Sequence, residues 1–176
     1  MRIFDTLRDT VAPLLDGEKE PLHVGEVMHL WSYLHNTEVL IRLDQTTYNM
    51  TEDPGLKKKL DEHINQVNKP IVHDLREFLM KEGIPLPDTT PEKTLIGMNV
   101  PIPAGVKLTD EEIANLIAYN LVESIRYAVL SLTQAVRVDV TLLFAKFQMM
   151  KMNYSITLKP FMEERGWLNE PPYYHP

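Results

Sequence analysis

The chain has no cysteine among its 176 residues, which excludes disulfides, thiolate metal sites and cysteine nucleophiles. No stretch approaches the roughly 18 apolar residues that cross a membrane. The opening MRIFDTLRDTVAPLLDGEKEP places Asp5 and Asp9 where a secretory signal would carry an apolar run. The expectation is a cytoplasmic protein with no membrane partner. Basic residues are scattered apart from Lys57, Lys58 and Lys59, and the formal net charge is −7. Neutralising phosphates needs a clustered basic face, so nucleic acid is not the expected partner. Catalytic signatures are scarce too. No Gly-x-Ser-x-Gly elbow surrounds Ser32, Ser124, Ser131 or Ser155, and no Gly-rich loop is present to cradle phosphate.

Proline is plentiful but unevenly spread. Of 13 prolines and seven glycines, Pro85, Pro87, Pro91, Pro101 and Pro103 with Gly83, Gly97 and Gly105 fall between residues 83 and 109. Neither a helix nor a central strand persists through such a segment. Leu86, Leu95, Ile96, Met98, Val100, Ile102 and Val106 give it apolar residues that a free linker would lack, so it reads as a crossover along the side of a bundle.

On either side the apolar residues recur at three and four, the period of amphipathic helices. The first helix is expected over 21–48, with Val24, Val27, Leu30, Trp31, Leu34 and Ile41 on one face. The second, 54–82, carries Leu56, Leu60, Ile64, Val67, Ile71, Leu75 and Phe78, with a kink at Pro70. Thr109 and Glu112 form a capping box that opens the third helix over 110–136. A fourth follows over 139–165, built on Leu143, Phe147, Met150, Tyr154, Leu158 and Phe161. The boundary between the last two carries no Gly or Pro to mark it. Residues 1–20 read as a short amphipathic arm (Ile3, Phe4, Leu7, Val11), and 166–176 as an extended aromatic tail. Two antiparallel hairpins joined by one long crossover make an all-α, ferritin-like four-helix bundle in a single domain, 1–176.

A ferritin-like bundle invites a di-metal site, which takes a Glu from each of two helices and a Glu-x-x-His from each of the other two. Stepping about 100° per residue, His23, Glu38 and Gln45 face inward on the first helix. His63 and Asp74 lie at the edge of the second, and Glu123 flanks the third. In Glu26-Val27-Met28-His29 the histidine points outward. The middle of the fourth helix supplies Leu, Phe, Met and Tyr, with no acid or histidine. The di-metal set is therefore incomplete. A buried Glu38 is expected to be satisfied by Asn68, a Tyr or Gln45, because buried carboxylates must be paired. The remaining metal candidates are Glu38, His63, Glu123 and His23, for an atypical mononuclear or dimer-shared site with oxidase-type activity. A third possibility is a small-ligand cavity between the helices with Tyr48, Tyr127 and Tyr154 as polar handles. The methionines at 149, 150 and 152 suit adaptable packing.

Three segments carry a family resemblance: Gly25-Glu26-Val27-Met28-His29-Leu30-Trp31 with Leu34, Lys81-Glu82-Gly83-Ile84-Pro85-Leu86-Pro87 with Pro91-Glu92-Lys93, and Arg165-Gly166-Trp167-Leu168 with Pro171-Pro172. Together they resemble an uncharacterised family of ferritin-like bundles from endospore-forming bacteria, related to spore coat protein F. The likeness runs through nearly the whole chain in order. Its motifs mark structure and carry no catalytic residue. It implies a non-enzymatic structural or interaction protein of the spore coat or of sporulation, homodimeric, with spore coat proteins as partners, a place in the coat within the mother cell, and no required cofactor.

Overall fold

The computed structural model describes residues 19–97, 101–103 and 105–174. The amphipathic arm expected around Ile3 to Val11 lies outside them, as do Met98 and Val100. Helix α1 runs Val24–Met50. The second rod is continuous but in three pieces, α2 (Pro54–Glu62), a π-helical turn (His63–Asn68) and α3 (Lys69–Lys81). Helices α4 (Asp110–Gln134) and α5 (Val138–Glu164) complete the bundle. No strand occurs among the described residues.

Side-chain contacts fix the arrangement. Glu38 meets Arg76, and Asp44 meets Asn68, so α1 is antiparallel to the second rod. Tyr33 meets the Ser124 carbonyl and Glu26 meets Val136, so α1 is also antiparallel to α4. Lys146 with Asp74 and Tyr154 with Lys59 set α5 antiparallel to the second rod. The crossover therefore spans the full bundle length, from the end of α3 to the start of α4.

The core is a column of fully buried Leu, Ile and Phe, including Leu30, Leu34, Leu60, Ile71, Leu75, Ile117, Phe144 and Phe147. Each such side chain contributes about 1.5–3 kcal/mol on leaving water. Val24 and Trp31, expected on the inner face of α1, are exposed, and Tyr33 fills the core in their place. Tyr33 stacks on Phe147 at 5.8 Å and meets Phe144 edge-on at 5.5 Å.

The helix ends have identifiable stops. Gly83 (φ 72°) and Gly166 (φ 68°) adopt the left-handed conformation of a C′ residue. The amides that follow reach back in Schellman caps, Ile84 to the Leu79 carbonyl and Trp167 to that of Met162, both at 2.9 Å. Thr109 and Glu112 form the expected capping box. The α4–α5 turn occupies 135–137, where Glu26 Oε1 accepts from the amides of Val136 (2.8 Å) and Arg137 (2.7 Å). At the opposite end Asp110 accepts from the Thr51 hydroxyl and from the amides of Glu52 and Asp53. In each hairpin, an acid from the first turn of one helix closes the loop of the other hairpin.

Polar side chains of α1 hold the crossover. Arg42 donates to the Thr90 carbonyl at 2.8 Å. Gln45 accepts from the Lys93 amide and donates to Glu92, both at 2.8 Å. Asn49 donates to the Thr94 carbonyl (2.9 Å) and accepts from the Ile96 amide (2.7 Å). Only some of the expected apolar residues anchor it. Leu86 packs on the core, whereas Ile96 and Val106 are exposed.

Candidate functional site

The second rod widens at His63–Asn68 into a π-helical turn, ending with the Lys69 amide bonded to the Ile64 carbonyl five residues back. Pro70 follows directly and has no amide of its own to donate. A π turn places one extra residue in the circumference and is often found at functional sites. Here it turns both His63 and Asn68 into the core.

They meet Asp44 from α1 and Lys151 from α5, all four being buried. His63 Nδ1 lies 2.9 Å from Asp44 Oδ2. Asn68 Nδ2 donates to the same carboxylate at 3.0 Å, and Lys151 Nζ donates to Asn68 Oδ1. Lys151 Nζ is also 3.5 Å from His63 Nε2. Asp44 accepts the Nδ1 proton, so the Nε2 lone pair faces the lysine ammonium and the imidazole is neutral. Tyr154 stacks on His63 at 4.7 Å and donates to the Lys59 carbonyl at 2.7 Å. One negative and one positive charge thus balance inside the bundle, bridged by a neutral amide and imidazole.

Electrostatics follows from that burial. Loss of hydration pushes the Lys151 amine down to about 8, partly opposed by Asp44. It also lowers His63, an effect that Asp44 opposes and the Lys151 charge reinforces. Burial raises the Tyr154 phenol, as do the nearby carboxylates of Asp44 and Glu62. A groove of about 450 Å³, lined by Gln66, Val67, Met150 and Tyr154 among others, passes beside the cluster. The four polar residues themselves do not line it.

The metal candidates of the sequence sit in separate places. His23 is the N-cap of α1, its Nδ1 accepting from the Gly25 and Glu26 amides. Glu38 is buried and accepts from Arg76 Nε at 2.8 Å through Oε1, while its Oε2 has no hydrogen-bond partner. Asn68, expected opposite Glu38, reaches Asp44 instead. Glu123 pairs with Arg126 at 3.1 Å on the surface, and His63 belongs to the cluster. Among the described residues, no group of three or more His, Asp or Glu side chains gathers as a metal site. The ferritin-like di-metal pattern does not fit the donors present. Of the four cluster residues two, Asp44 and His63, are metal-ligating types; they bond to each other, and the free Nε2 of His63 faces an ammonium, which repels a second cation. The tyrosines proposed as handles are likewise apart: Tyr48 lies under Lys57, Tyr127 against His29, and Tyr154 in the cluster.

Asp44 and Lys151 escaped the sequence reading. Lys151 falls within the buried series Val140, Phe144, Phe147, Lys151, Tyr154, Leu158, Met162, which advances by threes and fours and shows α5's true inner face. Choosing Leu143 and Met150 instead turns that face by one residue and puts the lysine outside.

A family described as "Protein of unknown function (DUF3231)" matches residues 14–176. An uncharacterised protein, YvdQ, of Bacillus subtilis (strain 168) is 29% identical over 155 residues, spanning 88% of this chain and 90% of its own length. The crystal structure of a candidate spore coat protein from Bacillus halodurans C-125 superposes with a TM-score of 0.83 at 31% identity, covering 89% of this chain and 98% of that one. Dps92 from Deinococcus radiodurans shares the fold at a TM-score of 0.63 and 15% identity, over 79% of this chain and 86% of its own.

Proposed function

We propose that this chain, which belongs to the DUF3231 family, is a non-enzymatic structural protein of the bacterial spore coat. The likeness to the candidate spore coat protein of B. halodurans, covering nearly all of both chains, supports the location. The observation that carries the non-enzymatic reading is the Asp44–His63–Asn68–Lys151 cluster. It is internally neutralised, enclosed on all sides and satisfied by its own members, whereas a catalytic centre must leave a reacting group open to substrate. On this reading the cluster replaces a metal with the chain's own ammonium and fixes the pairing of three helices, and the protein needs no cofactor. Buried polar groups that specify one packing at some cost in stability are known in helical assemblies.

The test is fractionation of spores from an organism that encodes the chain. The protein is expected in the coat layers stripped by alkaline detergent and absent from the decoated core. Recovery only from the vegetative cytosol would contradict the proposal.

A further inference from the structure

Each of the four long sides of the bundle meets its surroundings differently. The crossover, held by Arg42, Gln45 and Asn49, covers the side between α1 and the second rod. Ion pairs such as Lys146–Asp74 and Lys59–Glu62 mark the side of the second rod and α5. A groove of about 360 Å³ of mixed lining, with Asn36, Asn120 and Glu123 beside Val39 and Leu40, runs between α1 and α4. The outer face of the α4–α5 hairpin is different. Tyr119 (64% exposed), Val122 (54%) and Val129 (37%) stand out from α4, and Met149 (44%), Met152 (44%) and Ile156 (66%) from α5. The chain reverses at 135–137, so Val122 and Met149 lie level and the two rows form one patch. A second exposed run, Val24, Met28 and Trp31, is only one helix wide.

From this we infer that the outer face of the α4–α5 hairpin is the surface through which two copies of the chain pair. Its dimensions suit that partner. Helices of 25 and 27 residues make a face about 37 Å long and roughly 20 Å wide, on the order of 750 Å², against about 800 Å² per partner in a stable interface. The apolar centre, from Leu142 to Ile156, is about 21 Å long, and polar ends flank it as in known interfaces. Charge points to a second copy as well. The chain carries −7 overall, yet the apolar centre of this face is bordered by Arg126 paired with Glu123, one charge of each sign, while the exposed acids Glu111, Glu112 and Glu163 lie out towards its ends. Two acidic molecules approach there without the repulsion they meet elsewhere, and the paired charges can be exchanged across a two-fold axis.

The inference rests on reading the chain as an interaction protein and names its first partner. Sedimentation of the full chain at tens of micromolar should give a dimer. Met152→Glu, with Ile156→Lys as a second variant, should weaken it by at least about tenfold with helical circular dichroism unchanged, while Val39→Glu on exposed α1 should leave it intact. A monomeric parent, or a dimer that both α5 variants leave unaltered, overturns the inference. A monomer that still fractionates with the spore coat would refute the pairing alone. A dimer found only outside the coat would refute the location alone.

Discussion

Lys151 is the residue on which the interior of this bundle depends. A buried ammonium survives only beside compensating charge and acceptors, and Asp44, Asn68 and His63 supply them. Removing one partner of such a pair costs about 3–5 kcal/mol because the other stays buried and unpaired. Lys151→Met should therefore destabilise strongly in chemical denaturation, and adding Asp44→Asn should return part of the loss, since the two changes share one interaction. The pH dependence has a definite sign. The folded amine titrates at about 8 and the unfolded one at 10.5. Between these values the unfolded chain holds more protons, so the parent gains stability as pH rises from about 8 to 10.5. Lys151→Met should flatten that rise, and an unchanged slope would show that another group titrates there. His63, also lowered, works at the other end. Below pH 6.5, its unfolded value, the unfolded chain takes up the proton first and stability falls. The cluster was half legible in the sequence. His63 was visible as a candidate, but a lysine within an apolar seam reads as a surface residue until the three-four series around it is followed to its end.

At the scale of elements, the second rod shows how a π turn can be read from spacing. From Leu56 to Leu79 the buried stripe takes six steps over 23 residues, about 3.8 per step where a straight α-helix gives about 3.6. On a straight helix that stripe would drift by about 140°, so an added residue in the circumference is needed to keep it facing the core. Pro70 announced a disturbance, but its location, one turn upstream, lay in the spacing. The crossover was legible as a segment because of its prolines and glycines. How it is attached was not, because Gln45 and Asn49 look like ordinary polar residues on a helix. Asn49 pairs with extended backbone as a neighbouring strand would, giving one hydrogen bond and accepting one, while Gln45 accepts from the Lys93 amide and donates to the Glu92 carboxylate. Asn49→Ala should loosen residues 93–96 locally, speeding tryptic cleavage at Lys93 several-fold while the global unfolding midpoint shifts little. A cleavage rate equal to that of the parent would mean the amide ladder does not hold the crossover.

At the scale of the molecule, the two hairpins lock each other at both ends. Glu26 closes the α4–α5 turn and Asp110 closes the α1–α2 loop. Near the first end, Arg137 makes a two-pronged bond to Glu82, both at 2.8 Å, and another to Asp139 at 3.1 and 2.7 Å. Burial pushes the Asp139 carboxyl up, but hydrogen bonds from Arg137 and Lys19 outweigh it and leave the group at about 2. The crossover length and the two helical hairpins revealed the architecture from sequence alone. These end clamps join residues between 55 and 111 positions apart, and nothing in local spacing announces them. With ends clamped, crossover tied and interior neutralised, the bundle turns its widest exposed apolar face among the described residues, that of the α4–α5 hairpin, outward.

On the proposed reading the chain's own lysine serves as the cation of the bundle core. Elemental mass spectrometry on full-length protein purified without chelator or metal-affinity tag tests this. Iron, manganese and zinc are each predicted well below one per chain. Any of them near one per chain, and lost in a variant of Asp44 or His63 that still folds, would show that the core binds a metal after all.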